Sequence, residues 1–355
     1  MRTGGIEVAA VSTKGKPTMI KISCDLVPSP RVVDEARLAE ELGYTRVYVT
    51  DSPALYGDVW VSLARIAEHT SVIGLGTGVL VPFTRHPVVN AAAIASIEAI
   101  APGRLVVALG AGNSARRVLG ERLPSKQAWM RSYIQVLRGL LRGETVEWEG
   151  KRLALVPFPG DLPPFPIEVP ILLNAMGPKG FTTAKECADG IVGAANPEFD
   201  VSIPLVFGTV LDEGENLTSE RAVLAHGPMA LPAIHNLYED NPDQLDGIPG
   251  GSAWRKQVDQ LTSPGEAHLF VHRGHCVQVA PHDQEIVRNP DFLSFSRQFT
   301  LTGTRAEVAG KIAALIEGGA TEILYLPAGP DVPRELRAFA DAARAVAGDE
   351  RRNPV

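Results

Sequence analysis

Strand-like and helix-like segments alternate along this chain almost from its start, and that order constrains the fold more than any other feature. Met19–Cys24 reads as a buried strand. Ser29-Pro30 supplies a helix N-cap followed by proline at the first helical position, opening a helix to about Leu42. Arg46–Thr50 is β-rich, Trp60–His69 helical, Val72–Thr77 strand-like, Pro87–Ile100 an alanine-rich helix and Arg104–Leu109 a strand. Lys126–Arg142 is a long helix with Met130, Tyr133, Ile134, Leu137 and Leu141 on one face. Such alternation indicates a parallel sheet, either a barrel or doubly wound.

Dense proline between Gly143 and Pro170 marks a long loop or a short hairpin. Order resumes with Ile171–Ala175 (strand), Pro178–Ala188 (helix), Gly190–Ala194 (strand) and Ile203–Val210 (strand). Only Ala195–Ser202 joins the last two. A parallel crossover usually needs about 10–12 residues, so this connection is expected to lack its helix. Ser219–Tyr238 and Glu266–Gln278 read as helices and Asn241–Ser252 as turns. Thr304-Arg-Ala-Glu307 is a capping box opening a helix through Ile316, before a strand at Glu322–Leu326 and a helix at Asp331–Val346. Eight strands, mostly interleaved with helices, predict a (β/α)8 TIM barrel. The 355 residues form one domain, with a shortened connection between the sixth and seventh strands and an insertion or lid at 211–303, before the last barrel unit.

The composition narrows the function classes. With 45% hydrophobic and 21% charged residues a sizeable core is available and disorder is excluded. The net charge of −7, with no Lys/Arg run longer than two, argues against a nucleic-acid footprint and a polybasic membrane anchor. Three scattered cysteines (Cys24, Cys187, Cys276) form neither a disulfide framework nor a zinc pattern. With no signal-peptide order at residues 1–17 and no run of 18 apolar residues, a soluble cytoplasmic protein is expected.

Several segments could carry chemistry. Gly110-Ala-Gly112-Asn-Ser-Ala115 follows a strand and looks like a dinucleotide fingerprint, but it sits in the fourth βα unit. Met130 and Arg131 stand where a ribose-binding acid would be expected. A barrel-mouth loop touching a cofactor is the preferred reading, beside a Rossmann turn and a plain tight turn. Ala175-Met-Gly177-Pro178-Lys179-Gly180 joins a strand to a helix N-terminus, where free N–H groups, the helix dipole and Lys179 suit an anion. The alternative is a simple proline-initiated helix. Glycine-dense Gly74–Gly78 implies a bulge or a close ligand, and Arg85-His86 could serve an anion, with surface or helix-start pairing the preferred reading. His268, His272 and His275 would share a helix face, with His282 and Asp283 beyond, opened by a capping box at Ser263-Pro-Gly-Glu266. Their spacing matches no zinc rule and adjacent acids are missing, so pocket-lining or structural histidines, and no metal, are expected.

As a whole the chain resembles the bacterial luciferase-like flavin and deazaflavin oxidoreductases, and within them the branch containing F420-dependent methylenetetrahydromethanopterin reductase. The resemblance rests on Val49-Thr-Asp51, on GLGTGVLVPFTRHP (74–87), on AAAIASIEAIAPGRLVVALGAGN (91–113), on NAMGPKGF (174–181) and on residues 301–331. It covers 18–195 and 300–346 and fades over 196–300. It implies a deazaflavin or flavin ring at the C-terminal mouth, touched by Asp51 and backed by a non-prolyl cis bulge at Gly78-Val79. It further implies that Ala111, Gly112 and Asn113 line the ring or ribityl chain, and that Met176, Gly177, Lys179 and Gly180 hold the phosphate. Ser52 stands where the sugar-phosphate dehydrogenases and luciferases of this family have histidine. Asn113 stands where those dehydrogenases have a proton-accepting glutamate. Sugar-phosphate oxidation by that acid–base pair is therefore not expected.

The expected function is hydride transfer between reduced coenzyme F420 and a small organic substrate, favouring activated C=C or C=N bonds. The alternatives are an FMN-dependent monooxygenase using reduced flavin and oxygen, and a non-catalytic cofactor-binding barrel. Catalytic candidates are Asp51, Ser52, Asn113, His272 and His275. The partners expected are the substrate, a separate flavin or F420 reductase or dehydrogenase, and a second copy of the chain. The homodimer would pair through Val59, Leu63, Ile66 and Ala93, Ile97, Ile100. The insertion is expected to cap the cofactor pocket and bring some of its histidines towards it.

Overall fold

The computed structural model describes residues 20–121, 126–263 and 265–349. Eight parallel strands close a barrel in chain order. They are β1 (Ile22–Leu26), β2 (Arg46–Val49), β3 (Gly74–Leu80), β4 (Leu105–Leu109), β5 (Ile171–Ala175), β6 (Gly190–Gly193), β7 (Ser202–Phe207) and β8 (Ile323–Leu326). Closure runs through the pairing of Ile22 with Ile323. The strands are buried on both faces because helices cover the outside and side chains fill the inside. Tyr48, Val106, Ala108, Leu172, Val192, Ile203 and Leu324 form the interior cluster. Leu75, Val107, Leu109 and Leu173 point outwards into the larger core beneath the helices.

The helix layer comprises α1 (Val32–Leu42), α2 (Val59–His69), α3 (Pro87–Ile100), the short α4 (Asn113–Arg117), α5 (Lys126–Leu141) and α6 (Pro178–Cys187). The Asp58 carboxylate caps α2 by accepting from the Trp60 and Val61 amides. The proline-rich stretch contains a hairpin, Val146–Trp148 with Lys151–Leu153. No helix joins β6 to β7; residues 194–201 make the link alone.

Beyond β7, Val210–Leu211 pairs with Gly303–Thr304, bringing the entry and exit of the insertion side by side. Between them lie α7 (Glu220–Asp240), α8 (Gly251–Leu261), α9 (Ala267–Val271), α10 (Gln284–Val287) and α11 (Pro290–Arg297). They share a core of their own that includes Val223, Ile234, Trp254, Val258 and Phe292. Buried His226 of α7 bridges Ser296 and Thr302, 2.7 and 2.8 Å away. Burial pushes its imidazole down to about 4, so it is neutral at physiological pH. Met229 and Cys276 pack with Leu205, Phe207, Leu326 and Ala328, which seats the insertion over the C-terminal end of the barrel. The final unit adds α12 (Arg305–Glu317), opened by the Thr304/Glu307 capping box, and α13 (Val332–Asp349).

The structure corrects several expectations. β1 starts at Ile22, and Met19 lies outside the described residues. α1 begins after Pro30 with Arg31 at its N-cap, because the Ser29 hydroxyl accepts the Arg31 amide in a preceding turn. β3 extends through the glycine run to Leu80, since those glycines face bulky interior neighbours. β7 ends at Phe207, where Gly208 turns to φ 132°. Glu266–Gln278 is not one helix: α9 stops at Val271, and Gly274 and Cys276 adopt left-handed φ of 71° and 61°. His268, His272 and His275 therefore do not share a helix face. The capping box at Ser263–Glu266 does not form: Glu266 is the N-cap without a side-chain cap, and Pro264 lies outside the described residues. α8 was not anticipated in the turn-forming stretch. The helix faces assigned to a dimer are largely spent within the chain, for Val59, Leu63, Ile66 and Ile97 are buried in its own core. No helix among the described residues is long and apolar enough to cross a membrane.

Candidate active site

The C-terminal mouth of a (β/α)8 barrel is where strand ends and loops converge. Here Gly78, Val79, Asn174, Leu205 and Phe207 stay partly exposed although they lie within barrel strands, so the upper interior is open above its packed floor. On the inner face of β3, glycine makes room for larger neighbours. A Cβ at Gly76 would fall 2.5 Å from the Tyr48 ring, and one at Gly78 2.6 Å from the Asp25 carboxylate oxygens. The Gly78–Val79 peptide is cis.

Asp25 was not singled out by the sequence. It is fully buried near the end of β1, accepts a 3.1 Å hydrogen bond from the Thr50 hydroxyl and lies directly against the cis peptide. Desolvation drives its pKa well above the ordinary carboxylate range, opposed only by that hydroxyl. A usable signal existed. Ser23 and Asp25 alternate with Cys24 and Leu26, placing polar side chains on the inner face, and an acid near a barrel strand's C-terminus reads as functional.

Asp51, just beyond β2, is buried, but its neighbours are protein groups. Its Oδ2 accepts from the Val81 amide at 2.9 Å and from Arg85 Nη1 at 2.6 Å, while Oδ1 has no partner among the described residues. Desolvation raises its pKa, and the Arg85 guanidinium pulls it back. Arg85 also reaches Asp58 at 2.8 Å, which joins the loops after β2 and β3 to the start of α2. The bland reading of Arg85 and His86 holds: one is paired, and the other caps α3. Ser52 is buried, and its carbonyl accepts the Leu55 and Tyr56 amides.

Ala111, Gly112 and Asn113 form the turn into α4. Gly112 has φ 65°, and a Cβ there would meet Val81 at 2.4 Å, so glycine is required by conformation and by space. Gly112→Ala should destabilise the fold by roughly 2–4 kcal/mol from strain plus overpacking, read from urea unfolding midpoints. A midpoint within error of the parent would refute the packing argument. Asn113 is exposed and accepts from Arg117 Nε at 3.0 Å.

The second cluster follows β5. Met176 is exposed, and Gly177 is the extended N-cap of α6, with no side-chain cap and no atom within 4 Å of a built Cβ. Lys179 and Gly180 follow in the first turn, their amides free of helical partners. The turn is open, and its free amides and Lys179 stand at a helix start.

The histidines of the insertion form a third group, linked to Asn113 through Glu239 and Arg117. His235, His272, His275 and His282 lie close together, with Asp283 and Glu239 beside them. His268 stands apart on α9 near Gly120. The His275 carbonyl accepts a hydrogen bond from Tyr56 in the loop after β2.

The family model described as luciferase-like monooxygenase matches residues 14–203. A 5,10-methylenetetrahydromethanopterin reductase of Methanolobus tindarius is 34% identical over 50% of this chain, and this chain spans 56% of that relative. The corresponding reductase of Archaeoglobus fulgidus is 32% identical over 90% of this chain and 97% of its own length. Among solved structures, the coenzyme F420 dependent tetrahydromethanopterin reductase from Methanopyrus kandleri superposes with a TM-score of 0.60 at 19% identity. That superposition covers 91% of this chain and 98% of the other.

Proposed function

This chain belongs to the luciferase-like monooxygenase family of oxidoreductases, and we propose that within it the protein moves a hydride between reduced coenzyme F420 and a small organic substrate. An activated C=C or C=N bond is the favoured acceptor. The observation that carries this reading is the near full-length likeness to a methylenetetrahydromethanopterin reductase. The F420 dependence of a Kineococcus radiotolerans glucose-6-phosphate dehydrogenase, 30% identical over 93% of this chain, supports the choice of cofactor.

The residues present fit such a group. The open cradle at Gly177–Gly180 offers backbone N–H groups and Lys179 to a phosphate. Ala111, Gly112 and Asn113 at one side of the mouth, with Gly78 and Val79 of β3 as its wall, would line the ring. When bound, the deazaflavin supplies or accepts the hydride. Asp25 lies directly behind that wall. Burial favours its protonated form, so it can hold or give up a proton at its carboxyl oxygen. Asp51 acts one step back, bracing Val81 and Arg85 and so fixing the loop behind Gly112. Ser52 serves the fold of the following turn. The insertion covers the mouth and limits water. Free Cys24, Cys187 and Cys276 suit the cytoplasm. A homodimer through α2 and α3 would use the exposed Val61, Val89 and Ile100.

Fluorescence titration with F420 and FMN tests the reading. Micromolar F420 binding is expected; FMN binding without F420 binding would replace it with the reduced-flavin monooxygenase. Failure to turn over any substrate with reduced cofactor would leave a non-catalytic barrel. Gly177→Leu should keep the parent melting temperature, because its side chain enters open space, and weaken cofactor binding at least ~100-fold by filling the cradle. Unchanged affinity would move the phosphate elsewhere.

A further inference from the structure

We propose that the insertion contains a binding site for a zinc-class divalent metal ion, held by the Nδ1 atoms of His235, His272 and His275. Each of the three offers a ligand atom, all within 4.8 Å of one another. His235 and His272 are 1% and 0% exposed. In all three, Nδ1 is shut off from solvent and has no hydrogen-bond partner among the described residues. Three orphaned nitrogens in one buried cluster are unusual, because buried polar atoms are nearly always paired.

The opposite nitrogens show which tautomer is present. His235 Nε2 lies 3.3 Å from Asp283 Oδ1, and His272 Nε2 lies 3.2 Å from Glu239 Oε1. An ionised carboxylate only accepts, so each Nε2 carries the proton and each Nδ1 presents a lone pair. The carboxylates are themselves held: Asp283 Oδ1 accepts from Trp254 Nε1 at 2.8 Å, and Glu239 Oε2 pairs with Arg117 at 2.5 Å. Carboxylates on the far nitrogens of ligating histidines orient the rings and raise their basicity, and that arrangement is present at two of the three. The His235–His272 and His272–His275 rings meet at 85° and 74°, leaving their edges free to converge.

Three imidazoles without a thiolate select zinc or a neighbouring transition metal, with a fourth position for water. Metal–nitrogen bonds of about 2.0–2.1 Å would draw the nitrogens to roughly 3.4 Å apart, a small contraction of the cluster. A second group, His235, His282 and Asp283, is equally close. Its His235 Nε2 and Asp283 Oδ1 already bind each other, which makes Asp283 the support. The His272–Glu239–Arg117–Asn113 chain and the Tyr56–His275 contact run from this site to the mouth, so the ion would fasten the insertion over the barrel. The expectation of no metal arose from one run of histidines; His235 comes from α7.

The full-length protein, stripped with EDTA, should take up about one Co(II) per chain, with the visible absorption of a four-coordinate site, and exchange it for Zn(II). His235→Ala and His272→Ala should abolish uptake, and Asp283→Asn should weaken it ~10–100-fold. If either alanine variant misfolds, partly exposed His275→Gln carries the test at unchanged circular dichroism. No uptake of either ion at micromolar concentration overturns the proposal, as does uptake that the histidine variants leave unchanged. Because the readout is metal stoichiometry without cofactor, it is separate from the F420 titration.

Discussion

Asp25→Asn is expected to lower turnover by ~10²–10³ while leaving F420 affinity within about twofold, since general acid–base groups contribute roughly that much. Desolvation raises the pKa of the buried carboxyl, and among the described residues only the Thr50 hydroxyl opposes it. Asparagine keeps its shape and removes its transferable proton. The same substitution should change stability in a pH-dependent way. The folded pKa is raised above the unfolded value near 3.9, so the wild type has its full stability below about pH 4. It loses stability as pH rises towards the folded pKa, by about 1.4 kcal/mol per pH unit. Asparagine does not titrate, so the variant should match the wild type near pH 4 and gain on it as pH rises. Urea unfolding at four pH values measures this. A difference independent of pH would show that Asp25 is not held neutral, and full turnover would remove it from the chemistry.

Replacement of Arg85 has the second largest expected effect. Its guanidinium joins a fully buried carboxylate, Asp51, to the Asp58 cap of α2 at 2.6 and 2.8 Å. Arg85→Ala leaves Asp51 buried without its counter-charge, a change that typically costs about 3–5 kcal/mol. Without the arginine, desolvation and the nearby Asp58 charge are opposed by the Val81 amide, and the folded pKa of Asp51 rises further. The deficit should therefore be greatest above neutrality and shrink as pH falls towards 4, where the carboxyl is protonated in both states. Arg85→Lys should recover only part of the loss, because a single ammonium cannot span both carboxylates as a planar fork does. Equal stability of the alanine variant and the parent at pH 8 would contradict this account. Loss of the Asp51 brace should also loosen Val81 against Gly112, weakening cofactor binding more than a remote surface change of similar stability cost.

The sequence by itself determined the architecture. Eight apolar β-rich runs separated by helix-length segments can bury both faces of a parallel sheet only by closing it, and eight residues between Ala195 and Ser202 cannot hold a crossover helix. It also marked the Ala175–Gly180 turn from strand to helix, because glycines and a proline at a helix start are local chemistry written in consecutive residues. Whatever depends on which side chains face each other across the barrel or the insertion was settled by tertiary structure alone. Asp25 became a buried acid through its position against Gly78, 53 residues away in a strand two places round the barrel. Asp51 was claimed by Arg85 and the Val81 amide. The histidines read as one helix face separated when Gly274 and Cys276 turned left-handed, and two of them met His235 of α7 instead. Periodicity records which residues are buried and on which element; it does not record what they are buried against, and ionisation and metal affinity depend on that neighbour.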